Sequence, residues 1–108
     1  MKTVVFLAPG FEEIEALTVV DYLRRAGENV VTVSVPTDGN GKSNAVVTGS
    51  HKIPVVADRS FQDFTSGLGD SVPDAVYFPG GMPGASNLAA NQFLFNLIIK
   101  MERKGKLI

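Results

Sequence analysis

The sequence has no cysteine and a single histidine among its 108 residues. Disulfide bonds, thiolate metal sites and a cysteine nucleophile are therefore absent from these residues. No apolar run approaches the roughly 20 residues that a membrane-spanning helix needs. The formal net charge of −1 gives no electrostatic basis for binding nucleic acid or an anionic membrane, so neither partner is expected.

The composition favours one globular domain. Apolar residues make up 44% of the chain and charged residues 19%, which suits a packed core and argues against disorder. The apolar run at the amino terminus is too short for the core of a signal peptide, and Pro9-Gly10 ends it. We therefore expect a cytoplasmic protein.

The hydrophobic pattern of the first third predicts a parallel β-α-β unit. Residues 2–7 form a continuous β-branched apolar run, typical of a strand buried on both faces. A stripe at helical spacing follows and ends at Gly27, a good C′ residue. Its members are Ile14, Leu17, Val20 and Leu23, with Ala16, Val19 and Ala26. Residues 30–35 are the next strand, joined to the first by a right-handed crossover.

The remainder of the chain predicts a hairpin, a further buried strand and a second long helix. The turn and loop segments are residues 38–41 and 65–72, and the hairpin strands are residues 45–48 and 52–57. Residues 60–64 are a helical turn capped by Asp58 or Ser60. Residues 75–78 read as a strand, and Asn91 as the N-cap of a helix with an apolar stripe at Leu94, Leu97, Ile98 and Met101.

Residues 106–108 begin another apolar strand, at which the sequence stops. This predicts a β-α-β unit that lacks most of its last strand. We therefore interpret residues 1–108 as the amino-terminal part of a single α/β domain.

The turn after the strand at residues 75–78 is the first candidate site. Gly80 and Gly81 permit positive φ and leave bare N–H groups accessible, and ligands of parallel sheets bind at this edge. A tight strand-to-helix turn would explain the same spacing without any ligand. The turn matches neither G-x-G-x-x-G nor the P-loop, which disfavours nucleotide binding.

Three carboxylates at the start of the first helix are the second candidate site. We interpret Glu12 and Glu13 as favourable charges at the helix N-terminus. Glu15 lies one turn further on, so its side chain could face the sheet edge as a protonated hydrogen-bond donor. Position alone leaves that role open against a solvent-facing charge.

Other polar residues receive structural interpretations. His51, in the predicted hairpin, is interpreted as a solvated side chain, and no metal site is assigned. Asp21 is either a solvent-facing charge or part of a subunit contact, and we favour the former. Arg24 and Arg25 complement the helix dipole. Ser86 has no visible histidine partner, so a serine triad has no support.

Three segments together resemble the ThiJ/PfpI superfamily. They are FLAPGFEEIE (residues 6–15), VDYLRRAG (residues 20–27) and FPGGMPGA (residues 78–85). The resemblance covers the whole chain and is closest to the subgroup of the parkinsonism-associated protein deglycase and bacterial ThiJ-like proteins. Each segment alone is weak evidence, but three in order at suitable separations are specific.

The resemblance implies a flavodoxin-like αβα sandwich that forms a homodimer and uses neither cofactor nor metal. It implies a reactive cysteine on a strand-to-helix elbow, with the Glu15 carboxyl donating a hydrogen bond to the sulfur. It places the backbone N–H of Gly81 beside the same sulfur, as an oxyanion contact. It also places Ile14 and residues 51–56 toward the dimer contact.

The family's cysteine follows the strand that starts at Leu107, so we expect the nucleophile beyond residue 108. The complete protein is expected to act on small reactive carbonyls or glycated substrates by glyoxalase or deglycase chemistry, and these 108 residues alone to be inactive. A complementary carboxy-terminal fragment is a further expected partner. The alternatives are a redox-sensing or chaperone-like dimer without turnover, and a related peptidase or amidotransferase-like hydrolase.

Overall fold

A computed structural model of the protein describes residues 2–37 and 45–108, so the predicted turn at residues 38–41 lies outside the described residues. In chain order the elements are β1 (Lys2–Leu7), α1 (Glu13–Arg25), β2 (Asn29–Ser34), β3 (Val46–Thr48), β4 (Pro54–Val56), β5 (Arg59–Ser60), α2 (Phe61–Leu68), β6 (Ala75–Tyr77), α3 (Gly84–Ala89) and α4 (Gln92–Arg103). Within the described ranges, no helix is long and apolar enough to cross a lipid bilayer.

Four strands form a parallel sheet in the order β5-β2-β1-β6. Leu107 adds a parallel bridge to Ala75, on the side of β6 away from β1, where the sequence predicts the start of a new strand. The predicted parallel sheet is confirmed. The sequence pattern missed β5, because two residues are too few to show a period.

β1 is the centre of two apolar cores, one on each face of the sheet. Val4 and Phe6 face one core, which α2, α3 and α4 cover. Val5 and Leu7 face the other core, which α1 and the buried Val47 of β3 cover. Successive side chains of a strand point to opposite faces, so an uninterrupted apolar run is the pattern that a strand between two helical layers requires. The predicted αβα arrangement is therefore confirmed.

The predicted helix ends agree with the structure. The side chains of Ser60 and Asn91 accept hydrogen bonds from the backbone N–H three residues on, at 3.2 and 3.0 Å. Gly27 and Gly105 have φ of 84° and 70° just beyond α1 and α4. These are the N-cap and C′ geometries that satisfy helix termini.

The predicted apolar stripe of α1 is confirmed at Ala16 and Val20, but its start is shifted. Its first member, Ile14, is 74% exposed, and the buried residues of α1 are Glu13, Ala16 and Val20. The inward face begins one residue earlier than the hydrophobic pattern indicates, because the polar Glu13 is covered by the β3–β4 hairpin. A hydrophobic pattern cannot show a buried carboxylate.

The predicted loop at residues 65–72 was wrong over its first four residues, since α2 continues to Leu68. Phe64 is buried in the core beneath α2, and Phe61 and Leu68 pack beside it. These three side chains lie on one helical face, so their packing outweighs the cost of Gly67 in the helix.

The β3–β4 hairpin is antiparallel, as predicted, with Val46 opposite Val56 and Thr48 opposite Pro54. It forms its own two-stranded sheet and pairs with no strand of the parallel sheet. Its side chains and loop backbone attach it to α1 and to the loop after β1, which places it beside the candidate site.

Candidate functional site

The carboxyl ends of β1 and β6 meet at one edge of the sheet, because the two strands are adjacent and parallel with Val5 opposite Tyr77. The loops that follow are joined by two hydrogen bonds. The N–H of Glu12 donates to the carbonyl of Gly80 at 2.9 Å, and the side-chain amide of Asn87 donates to the carbonyl of Pro9 at 2.8 Å. The two sequence segments singled out above are therefore neighbours at the edge where parallel sheets bind ligands.

Glycines allow these loops to pack backbone against backbone. Gly10 and Gly81 have φ of 90° and 98°, which side chains rarely adopt. A Cβ on Gly81 would lie 2.6 Å from the nitrogen of Glu12, and a Cβ on Gly84 would lie 2.6 Å from the nitrogen of Phe11. These glycines therefore allow the two backbone segments to approach each other closely, in addition to allowing the chain to reverse direction.

Glu15 lies at this edge, as the sequence suggested. Its two carboxylate oxygens are 3.1 and 3.3 Å from the position that a Cβ on Gly80 would occupy. Its backbone N–H donates to the Glu12 carboxylate at 2.8 Å, which fixes the first turn of α1. The residue is exposed, not partly buried. Within residues 2–37 and 45–108, no acceptor takes the N–H of Gly81. The structure thus places the Glu15 carboxylate beside Gly80, next to the Gly81 N–H that has no acceptor among the described residues. The catalytic roles of both groups stay predictions.

Tyr77 belongs to the same neighbourhood and was missed by the sequence reasoning. Burial raises the pKa of its phenol, and the negative charge of Glu15 raises it further. The signal available in the sequence was a hydroxyl-bearing side chain at the end of an otherwise apolar strand. Tyr77 therefore contributes a polar atom close to the Glu15 carboxylate.

Glu13 corrects the interpretation that the first acidic residues only balance the helix dipole. Glu12 is the N-cap of α1, but the Glu13 side chain is buried beneath the hairpin. Its oxygens accept hydrogen bonds from the backbone N–H groups of His51 at 2.8 Å and Ile53 at 3.3 Å. Burial raises the pKa of Glu13, but the bonds from the His51 ring and from backbone N–H groups outweigh it and lower the pKa to about 2.

His51 is more than the solvated side chain that the sequence favoured. Its ring is 70% exposed, but Nδ1 lies 3.0 Å from a Glu13 oxygen and 3.7 Å from a Glu12 oxygen. The hydrogen bond with Glu13 and the charges of Glu13 and Glu12 raise the pKa of the imidazole, against a smaller effect of burial. The exposure of His51 was predicted correctly, but its ion pair with Glu13 was not predicted.

Glu12, Glu13 and His51 also place one potential ligand atom each within 4.8 Å of one another. The Glu13 oxygens already accept hydrogen bonds from the hairpin, and the Glu12 carboxylate caps α1. The positive end of the α1 dipole lies at this point and disfavours a cation. We assign no metal to these residues.

Arg24 and Arg25 lie in the last turn of α1, away from the edge, whereas Ser86 lies in α3, directly after the glycine loop. Arg24 pairs with Asp58 at 2.6 Å, and also donates to the carbonyl of Val30. Arg25 pairs with the exposed Asp21 at 2.9 Å. The Ser86 hydroxyl faces the sulfur of Met82, at 3.7 Å. The two arginines are thus held in ion pairs, and among the described residues no histidine contacts the Ser86 hydroxyl.

A mostly apolar groove of about 400 Å³ lies between the loop after β6 and the helices α3 and α4. Phe78, Leu88, Phe95 and Ile98 contribute to its wall. Gly80 also lines this groove and lies beside the Glu15 carboxylate.

Comparison with known proteins decides the family, since all of residues 1–108 match the DJ-1/PfpI family. The chain belongs to the DJ-1/PfpI family. Protein DJ-1 homolog A of Arabidopsis thaliana is 36% identical over 107 residues, which cover 98% of this chain and 25% of that protein. Protein dj-1beta of Drosophila melanogaster is 32% identical over 107 residues, covering 99% and 52% of the two chains.

Solved DJ-1 structures share the fold. A cysteine-to-alanine variant of a DJ-1 superfamily protein from Salmonella typhimurium superimposes with a TM-score of 0.83 at 37% identity, covering 99% of this chain and 52% of the other. Oxidised DJ-1 of Toxoplasma gondii gives a TM-score of 0.84 at 34% identity, covering 99% and 53%. The predicted family and fold class are confirmed. The chain spans a quarter to a half of these curated relatives and about half of these DJ-1 structures.

Proposed function

We propose that this chain provides the acid and oxyanion side of a DJ-1-type thiol site that acts on small α-oxoaldehydes. The observation that carries the proposal is the Glu15 carboxylate beside Gly80, next to the unused N–H of Gly81. Both groups lie at the carboxyl edge of a parallel sheet, where such sites form. The thiol belongs to a cysteine outside the 108 residues, because these contain none.

The strand register supports a position for that thiol. Leu107 is opposite Ala75 in a parallel bridge, and Gly80 lies five residues beyond Ala75. In a longer chain that continued along this strand, the residue five positions after Leu107 would be opposite Gly80. A cysteine there would have its sulfur between the Glu15 carboxyl and the Gly81 N–H.

The proposed reaction needs only these groups and water. The thiolate adds to the aldehyde carbon, and the carbonyl oxygen becomes an oxyanion that accepts a hydrogen bond from Gly81. Glu15, which is reprotonated in the final hydrolysis, first gives its proton to that oxyanion. The resulting carboxylate then removes the proton from the former aldehyde carbon and returns it to the neighbouring carbon. The aldehyde carbon is thereby oxidised to a thioester while its neighbour is reduced to an alcohol. Water hydrolyses the thioester to a hydroxy acid and releases the thiolate, so no external oxidant is required.

Two of the similar proteins support a thiol site. One solved structure is of a cysteine-to-alanine variant and another is of an oxidised form. A thiolate stabilised by a nearby donor would serve either turnover or oxidation. The reaction itself therefore has to be measured for this protein.

Turnover of methylglyoxal tests the proposed function. The purified complete protein, with its cysteine, is incubated with the aldehyde, and substrate and products are followed by NMR. The proposal expects catalytic conversion to lactate, with no added cofactor and many turnovers per protein. Consumption of one equivalent or less, leaving a stable thiol adduct or an oxidised thiol, would instead support the redox-sensing alternative.

We further propose that the protein is a homodimer, with Ile14 at the start of α1 and the hairpin at the contact. Ile14 and Val56 are each 74% exposed, and Ile53 is 49% exposed. Large exposed apolar side chains on neighbouring elements are typical of surfaces that bind another protein. A second copy of this chain is the partner that the resemblance implies.

Replacing Ile14 with aspartate should weaken that dimer. A charge placed in a desolvated contact lacks a partner, so we expect the dimer dissociation constant to rise at least about tenfold. Sedimentation velocity over a concentration series measures the change. Tyr22→Asp is the matched control, because Tyr22 is 68% exposed on the same helix but outside the proposed contact. Equal effects of the two substitutions, or none from Ile14→Asp, would contradict this interface.

A further inference from the structure

The β3–β4 hairpin is attached to the start of α1 largely through one carboxylate. The Glu13 side chain is 4% exposed, and its oxygens contact the backbone N–H groups of His51 and Ile53, the Ser50 hydroxyl and the His51 ring. These four contacts all lie in the segment that links β3 to β4. Two backbone bonds assist, from Gly10 to the Thr48 carbonyl and from Ser50 to the Phe11 carbonyl.

Among the described residues, the His51 ring is the group in salt-bridge contact with this carboxylate. Nδ1 lies 3.0 Å from Glu13 and 3.7 Å from Glu12, both on the α1 side, and 3.2 Å from the Ser50 hydroxyl on the hairpin side. Lys52, which follows His51 directly, carries the charge that is nearest to the ring along the sequence. Among the described residues, no other carboxylate or cation is within salt-bridge distance of the ring.

We propose that protonation of His51 controls how tightly the β3–β4 hairpin is held against α1. The charged ring pairs with Glu13 and Glu12, whereas the neutral ring leaves the buried Glu13 charge balanced only by hydrogen bonds. The hairpin carries the exposed Ile53 and Val56, so the same proton sets how firmly this apolar surface is presented. The proposal depends on neither the thiol chemistry nor the dimer.

The pKa shifts fix the direction of the effect. The pKa of His51 is raised in the folded protein, so its contribution is complete below the ordinary value of 6.5 and is lost as the pH rises through the raised value. The pKa of Glu13 is lowered from 4.5 to about 2, so its contribution is complete above 4.5 and is lost as the pH falls toward 2. The hairpin is therefore held most tightly between about pH 4.5 and pH 6.5.

NMR tests the proposal, because the ring signals of His51 are identified by their absence from the spectrum of the His51→Gln variant. One titration gives the ring pKa. A second series gives the amide hydrogen exchange of β3 and β4 from pH 5 to pH 9, corrected for intrinsic rates, with α4 amides as the reference for global unfolding. The proposal compares two values, the His51 ring pKa with the hairpin attached and the ring pKa with the hairpin detached. Linkage requires the protection factors of the hairpin amides to fall, from low to high pH, tenfold for each unit by which the first value exceeds the second.

Two substitutions at the same position separate charge from shape. His51→Gln is neutral at every pH and should show low hairpin protection that does not change across this range. His51→Arg keeps the cation and should keep protection high up to pH 9. A wild-type ring that titrates at or below pH 6.5, or a His51→Gln variant with the wild-type pH profile, would overturn the proposal.

Discussion

Replacing Gly84 with alanine is expected to lower the free energy of unfolding by about 3 kcal/mol. The new Cβ would lie 2.6 Å from the nitrogen of Phe11, 2.7 Å from its Cα and 2.8 Å from the carbonyl carbon of Gly10. These are backbone atoms of the loop after β1, which cannot rotate away as a flexible side chain could. Either α3 or that loop must move, and the hydrogen bond between Glu12 and Gly80 would be strained.

Gly67→Ala is the matched control, because Gly67 also lies in a helix. A Cβ there would meet no atom within 4 Å. Alanine in a helix interior should instead raise the free energy of unfolding by about 0.5–1 kcal/mol. Chemical denaturation followed by circular dichroism measures both variants. If the two substitutions changed stability in the same direction, the backbone contact at Gly84 would not be the structural constraint described above.

Replacing Glu15 with alanine is expected to lower kcat/KM for methylglyoxal by about 10²–10⁴-fold in the complete protein. Two effects combine in this loss. The carboxyl that moves a proton between the two carbons is removed, and the thiolate loses a hydrogen-bond donor, which raises the pKa of the thiol. Glu15 is exposed and anchors no neighbouring side chain, so the fold should survive the change.

Glu15→Gln separates the two effects. The amide can still donate a hydrogen bond to sulfur but cannot transfer a proton. Turnover should therefore be lost, while the thiol pKa stays close to that of the wild type. Asp21→Asn is the control for charge on the same helix, because Asp21 is exposed and pairs only with Arg25. Full activity in Glu15→Ala would remove Glu15 from the mechanism.

The sequence predicted the parts of this fold that depend on local patterns. β1 and β6 are continuous apolar runs, and the caps at Ser60 and Asn91 are short-range signals that the structure confirms. The start of α1, with Glu15, and the loop with Gly81 were placed at one sheet edge from strand direction alone. Their contact follows from parallel topology, which the β-α-β pattern already specifies.

What the sequence could not show depends on contacts between distant residues. Glu13 and His51 are 38 positions apart, and each resembles an ordinary surface charge until the hairpin packs against α1. The shifted face of α1 has the same cause, because burial of Glu13 is set by the hairpin and not by helical periodicity. Tyr77 was missed for a similar reason, since its relation to Glu15 depends on the packing of α1 on the sheet.

The pH dependence of thiol alkylation in the complete protein tests the central claim most directly. Iodoacetamide rates from pH 4 to pH 10 give the apparent thiol pKa, and peptide mapping locates the labelled residue. We expect a wild-type pKa below the ordinary value of about 8.5, a higher value in Glu15→Ala, and the label on a cysteine five residues after Leu107. Identical profiles for the two proteins, or a reactive thiol at another position, would contradict the proposed site.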